Sequence, residues 1–140
     1  MSNFLPEDDQ EYLESKEIKF ELLTEKDPEG NERRGVLFPV FSFSGNLRSL
    51  QNGNLVSCDT CTLLIIIPKG YATTKLDSFY TNPHLKRHDG TDPQNANNVT
   101  PLFERSWQFW SRHLDDKEWR IGIDGLSTFL NIIRNEFRIA

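Results

Sequence analysis

Two cysteines carry the most reactive side chains of this sequence of 140 residues. Cys58 and Cys61 stand three positions apart in the segment SCDTC, and a deprotonated cysteine is both a nucleophile and a metal ligand. The cysteines form a Cys-x2-Cys pair, and His84 and His88 form a His-x3-His pair. The two pairs are separated by 22 residues (62–83). The corresponding gap in a zinc finger is roughly 12–15 residues, so we expect no bound metal and no other cofactor.

The cysteines stand at the start of an apolar run that is typical of a strand. In a regular strand, residues separated by an odd number of positions point to opposite faces, so Cys58 and Cys61 would not share one metal ion. Asp59 is the nearest charge in the sequence, and a neighbouring carboxylate raises the pKa of a thiol. We therefore expect both thiols to be small buried or edge side chains, with use as a catalytic nucleophile as the alternative.

Histidine supplies the other titratable candidates, at His84, His88 and His113. His113 directly follows Arg112. At the end of a helix such a histidine would satisfy terminal backbone carbonyls; alternatively, it would titrate near neutral pH in a functional site. Arg112 and His113 are the preferred binding candidates, with the other two histidines and Trp119 beside them, although we also expect Trp119 to cover the core. His113 is a catalytic candidate as well.

Length and composition indicate one globular domain spanning residues 1–140. The chain has 10 Phe and 3 Trp, enough to build a core at this length. Its net charge of −5 is unlike the basic footprint of a nucleic-acid-binding protein. The longest apolar run (63–67) is far shorter than the roughly 20 residues of a membrane span, and MSNFLPEDDQ lacks a signal-peptide pattern. We expect a cytoplasmic protein that binds neither nucleic acid nor membrane.

The spacing of apolar residues predicts one helix followed by strands. The segment 6–16 begins with a proline and three acidic residues, which favour a helix N-terminus. Alternation of apolar and polar residues predicts a strand near 18–22, and further strands are predicted near 36–43 and 79–80. The segment 61–67 is apolar on both faces, which predicts a strand that is covered on both sides. Because only short turns separate them, we expect a four-stranded antiparallel meander. Pro39 within the second strand predicts an edge or a bulge, and the polar stretch 84–98 predicts an ordered surface loop.

Helical spacing recurs in the C-terminal part of the chain. Thr100 and Pro101 are residue types of an N-cap and a first helical position. The residues spaced as on a helix after them are Phe103, Trp107, Trp110 and Leu114. A last helix is expected, with Asp124 as its cap and an apolar face formed by Leu126, Phe129, Leu130, Ile133 and Phe137. A helix, four strands and two further helices in this order predict an α+β fold.

Three segments are similar to a known family. IIIPKGYATTKLDSFYTNPHL (65–85), SWQFWSRH (106–113) and EWRIGIDGL (118–126) resemble the prokaryotic ubiquitin-conjugating-enzyme-like proteins of family E, and the resemblance runs from about Leu5 to the C-terminus. It implies a ubiquitin-conjugating fold. It also implies a ubiquitin-like or multiubiquitin protein and a ThiF-type activating enzyme as partners, encoded near a JAB-type metallopeptidase.

The resemblance raises the question of the catalytic cysteine. Ordinary members of this superfamily hold ubiquitin as a thioester on a cysteine that follows a His-Pro-Asn turn. Here the order is Asn82-Pro83-His84, and no cysteine occurs from Leu85 to Thr100. Cys58 and Cys61 lie upstream, at the entrance to the third strand, and we expect them to be far from the usual catalytic loop. Three interpretations remain: a binding protein without thioester chemistry, a carrier that uses one of the two upstream cysteines, or a different chemistry at a histidine. We prefer the first, because loss of a nucleophile abolishes covalent catalysis.

Overall fold

The computed structural model describes residues 4–71, 75–112, 119–120 and 124–140. These residues form two helices, α1 (Glu7–Ser15) and α2 (Leu126–Ile139), and two antiparallel sheets. The strands, in chain order, are β1 (Glu21–Lys26), β2 (Glu32–Ser42), β3 (Arg48–Gln51), β4 (Asn54–Ser57), β5 (Thr60–Ile67), β6 (Ser78–Asn82), β7 (Leu85–Lys86), β8 (Asn98–Leu102) and β9 (Arg105–Ser111). The fold is α+β, as predicted. Neither described helix combines the length and apolar character that crossing a membrane requires.

The larger sheet has six strands in the order β1-β2-β5-β6-β9-β8. Its first four strands correspond to the four expected ones, and each pairs antiparallel with the next. Register between β2 and β5 shifts between Phe38 and Phe41, beside Pro39, which has no backbone N–H to donate. The bulge is therefore confirmed. The expected strand number is wrong, because β9 and β8 extend the sheet.

The segment predicted as a helix from Thr100 forms the hairpin β8–β9 instead. Trp107 and Trp110 are three positions apart, so on a strand they point to opposite faces. Each is at most 1% exposed, because each face of the sheet has its own core. The prediction failed because aromatic residues that fit a helical stripe also favour strands. Leu114, the last residue of that stripe, lies outside the described residues.

The two faces of the large sheet are covered differently. On one face, the Phe137 ring of α2 packs against Trp110 and Phe79, with ring centroids 5.0 and 5.7 Å away. On the opposite face, a smaller cluster forms around Leu37, Leu64, Leu102 and Trp107. The expected apolar face of the last helix is confirmed, since all five of its predicted residues are buried.

The two helices are joined through Asp9 of α1. Its Oδ1 accepts a hydrogen bond from the backbone N–H of Leu126 (3.1 Å), and its Oδ2 accepts one from the Tyr71 hydroxyl (2.6 Å). Burial, and then the bond to Asp9, raise the pKa of Tyr71. Asp9 thereby satisfies a backbone donor at the start of α2, where we had expected Asp124 to act as the cap.

Residues 43–59 form an insertion between β2 and β5, whose ends face each other at Ser42 and Thr60. Within it, β3 and β4 form a hairpin around Asn52-Gly53. Both turn residues have positive φ, as a two-residue hairpin turn commonly requires. β3 also pairs with β7, which gives a second sheet of order β4-β3-β7. β4 is an edge strand of that sheet.

Candidate functional site

A groove of about 320 Å³ opens where β5 begins and β6 ends. Thr62 of β5 lies opposite Asn82 of β6, so the antiparallel pairing brings the start of one strand to the end of the other. We call this cavity the turn groove; it is lined by residues that include Pro39, Ser49, Cys58, Cys61, Asn82 and Pro83. Both cysteines therefore lie beside the Asn-Pro-His turn. The expectation that they lie far from the usual catalytic loop is wrong, because the antiparallel pairing of β5 with β6 brings the start of one strand to the end of the other.

Neither thiol is freely presented to solvent. Cys61 is only 4% exposed, and burial, followed by the neighbouring Cys58, raises its pKa. Cys58 is half-buried, and its Sγ donates a hydrogen bond to the carbonyl of Thr60 at 2.9 Å. No Lys, Arg or His stands among the described residues that line the groove, and the guanidinium of Arg48, at its rim, donates to the Ser57 hydroxyl.

The segment 84–98, expected as a loop, contains the short strand β7 and ends at the first residue of β8; we refer to it as the loop 84–98. It begins with an ion cluster around Asp92. Its Oδ1 lies 2.8 Å from His84 Nε2 and 3.1 Å from Lys86 Nζ. Burial acts to raise the pKa of Asp92, but the bonds from His84 and Lys86 outweigh it and leave that pKa below its usual value. His84 thus helps to hold the loop in shape, and its Nε2 is occupied.

The tip of the loop is a tight turn from Arg87 to Thr91. The N–H of Arg87 donates to the carbonyl of Thr91 (2.8 Å), and the N–H of Gly90 donates to the carbonyl of Arg87 (2.9 Å). His88 and Asp89 are exposed at this tip. Of the two histidines in the loop, His88 is therefore the one presented to solvent.

The buried side chain of Gln108 in β9 anchors the base of the loop. Its Oε1 accepts bonds from the Leu85 N–H (2.7 Å) and the Thr81 hydroxyl (2.9 Å). Its Nε2 donates to the carbonyls of Leu85 and Ala96, both at 2.8 Å. Sequence analysis missed this residue. The signal was present, since Gln108 is the single amide within the aromatic run WQFW, and a buried amide must find partners.

Arg112, one of the preferred binding candidates, lies beside the loop 84–98. Its guanidinium donates to the backbone carbonyl of Gln94 (2.7 Å) and to the carboxylate of Glu136 (3.0 Å). It also lies 5.2 Å from the centroid of the Trp110 ring. With its side chain only 13% exposed, Arg112 ties the loop to α2 and β9. These contacts indicate that the charge of Arg112 holds the loop in position.

The remaining sequence candidates fall in different places. Trp119 is 3% exposed and lies edge-on to Phe129, with ring centroids 6.4 Å apart, so it is a core side chain, as one of our two expectations had it. His113 lies outside the described residues, and its roles in binding and catalysis stay predictions.

The structure separates the cysteine pair from the histidine pair. The cysteines line the turn groove, whereas His84 contacts Asp92 and His88 is at the loop tip. Across the described residues, no group of three or more His, Cys, Asp or Glu side chains has an arrangement suited to a metal ion. That the protein binds no zinc stays a prediction.

Comparison with known proteins gives one match. No curated protein and no solved structure matches the chain, but a family model described as prokaryotic E2 family E matches residues 5–140. The two described helices and the curled antiparallel sheet are compatible with an E2-like fold. Membership indicates a role in a ubiquitin-conjugation-like pathway, with ubiquitin-like proteins or activating enzymes as the general class of partner. The chain belongs to prokaryotic E2 family E, which confirms the resemblance drawn from its motifs.

Proposed function

We propose that this protein is a non-covalent binding component of a ubiquitin-like conjugation pathway. Its partner is a ubiquitin-like or multiubiquitin protein, or a ThiF-type activating enzyme. The observation that carries the proposal is the state of the thiols, since Cys61 is buried and Cys58 is bonded to a backbone carbonyl. Thioester carriage requires an accessible thiolate, and the chain has no other cysteine.

The loop 84–98 is the surface that we assign to partner binding. Its base is held by Gln108 and its first residues by Asp92, so the exposed tip is presented on a fixed backbone. Loops positioned by a rigid scaffold commonly carry function. In this assignment His88 contacts the partner directly, while Arg112 positions the loop from below through Gln94. His113 follows Arg112 in the chain and stays in the proposed surface.

A relocated thioester carrier is the second candidate, and one observation favours it. Cys58 is half-buried and lines the same groove as Asn82 and Pro83. For the thiol to react, it would have to give up its bond to Thr60 and lose its proton in a groove whose described lining holds Asp59 but no cation. The non-covalent function is preferred for this reason.

A pair of matching turns gives the test a control. The turn Asp27–Asn31 has the same two hydrogen bonds as the turn Arg87–Thr91, at the same lengths of 2.8 and 2.9 Å. Affinity for a multiubiquitin protein and for the activating enzyme would be measured by calorimetry for the wild type, His88→Ala and Glu29→Ala. We expect His88→Ala to weaken binding at least fivefold and Glu29→Ala to leave it unchanged. Equal affinities for all three proteins would remove the loop from the site.

A further inference from the structure

The outer face of the β4-β3-β7 sheet carries two exposed leucines. Leu50 and Leu55 lie directly opposite each other and are 47% and 40% exposed. On the opposite face Ser49 and Leu85, paired across β3 and β7, are buried, whereas Val56 of β4 is exposed. A Cβ atom at Gly90 would lie 3.3 Å from Leu55 Cδ1, so the leucine pair adjoins the tip of the loop 84–98.

A cation without an acidic partner flanks these leucines. Arg48 precedes Leu50 by two positions, which places both on the same face of β3. It lies opposite Lys86, and like charges in that arrangement repel. Lys86 has Asp92 as a partner, but Arg48 forms no ion pair with any carboxylate in the described ranges.

The guanidinium of Arg48 extends towards the free edge of the sheet. Its terminal nitrogen donates to the Ser57 hydroxyl of β4 at 3.2 Å. Ser57 and Leu55 are two positions apart, so they face the same side of β4. The guanidinium of Arg48 therefore reaches β4 two residues beyond the apolar side chain of Leu55.

The backbone of β4 is also open to pairing. A two-residue hairpin turn is flanked by a hydrogen-bonded pair, here Gln51 and Asn54, and such pairs alternate with non-bonded ones along the ladder. Leu50 and Leu55 form the next, non-bonded pair, so the N–H and C=O of Leu55 point away from β3. The sequence of β4, NLVS, has neither the charge nor the proline that commonly blocks an edge strand.

We infer that β4 docks an extended segment of a partner protein as an additional strand. The segment places an apolar side chain opposite Leu55 and, two residues along, an acidic side chain opposite Ser57, where Arg48 reaches it. A second copy of this chain fits less well, because β4 paired with itself brings no carboxylate to Arg48. The exposed leucine pair is also small beside the roughly 800 Å² that each partner buries in a standard interface.

The inference concerns the free edge of β4, which adjoins the tip of the loop 84–98 but includes neither cysteine nor His88, so it can fail while the proposed function stands. The probe is a blocked ten-residue peptide of alternating valine and threonine with a central Leu-Thr-Glu. A second peptide has lysine in place of the glutamate. Binding would be followed by fluorescence anisotropy. We expect the glutamate peptide to bind the wild type at least tenfold more tightly than the lysine peptide.

Two variants test the charge and the edge. Arg48→Glu replaces a repulsive pair with Lys86 by an attractive one, so the variant should fold. It should bind the lysine peptide more tightly than the glutamate peptide. Leu55→Pro removes the outward N–H and should abolish binding of the glutamate peptide. Val99→Pro is the matched control: Val99 is 59% exposed on the edge strand β8, and the same alternation directs its N–H outward, so binding should be retained.

Three outcomes of the peptide experiments would contradict the inference. The inference is overturned if neither peptide binds, if Arg48→Glu leaves the peptide preference unchanged, or if Val99→Pro abolishes binding as Leu55→Pro does. Sedimentation of the wild type supplies the remaining check. A dimer that Leu55→Pro converts to a monomer would show that a second copy occupies the edge, which also overturns the inference.

Discussion

The side-chain amide of Gln108 and the backbone of Leu85 exchange two hydrogen bonds, of 2.7 and 2.8 Å. The side-chain amide thus takes the place of a backbone peptide, since residues of adjacent antiparallel strands exchange two hydrogen bonds in the same way. Through it β9 holds β7, although the two strands belong to different sheets. The base of the loop 84–98 is thereby attached to the core, and the proposed binding surface depends on a residue that does not reach it.

Replacing this amide should destabilise the whole domain. Gln108→Leu leaves the N–H of Leu85 and the carbonyls of Leu85 and Ala96 without their partners, and each unsatisfied buried group costs about 1–3 kcal/mol. We expect the free energy of unfolding in urea to fall by about 3 kcal/mol or more. Gln94→Leu, an exposed amide in the same loop, should change it by less than about 0.5 kcal/mol. Equal effects of the two substitutions would show that the loop is not anchored through Gln108.

The tryptophans test the hairpin β8–β9. Trp110 is fully buried, stacks on Phe79 with centroids 5.3 Å apart and donates a hydrogen bond to Thr81. Trp110→Ala should therefore lower the free energy of unfolding by about 3–5 kcal/mol, through lost burial and a cavity.

The relation between Trp107 and Trp110 distinguishes a strand from a helix. On the strand they belong to separate cores, so the effects of Trp107→Phe and Trp110→Phe on stability should add to within about 0.5 kcal/mol in the double variant. A coupling energy well above that value would indicate that the two rings share one face, as in a helix.

Acid should reduce the contribution of Asp124 to stability. Side-chain and backbone bonds from Arg120 lower the pKa of Asp124 to about 2, against an ordinary value near 3.8. A carboxylate with a lowered pKa in the folded state stabilises the protein above its unfolded-state pKa, and loses that effect as the pH falls through the folded-state pKa. The melting temperature of Asp124→Asn should lie below that of the wild type at pH 6, and the difference should shrink between pH 4 and pH 2. A constant difference would contradict the assignment.

Elements that depend on neighbouring residues were predicted correctly, whereas elements that depend on pairing between distant segments were not. α1 and the bulge at Pro39 follow from residue types within a few positions, and both are confirmed. The hairpin β8–β9 was mistaken for a helix because a run of aromatic residues suits either element until its neighbours are known. The turn groove was missed although the expected antiparallel meander implies it, because the pairing of β5 with β6 brings Cys58 and Asn82 together.

The most direct measurement is the search for a thioester on Cys58. The protein would be incubated with its ubiquitin-like partner, the activating enzyme and ATP, and then separated under denaturing conditions with and without a reducing agent. The wild type, Cys58→Ser and Cys61→Ser would be compared, with binding followed in parallel by calorimetry. We predict that all three proteins bind and that none forms an adduct removed by reduction. An adduct on the wild type that disappears on reduction and is absent from Cys58→Ser would contradict the non-covalent function and identify Cys58 as a relocated nucleophile.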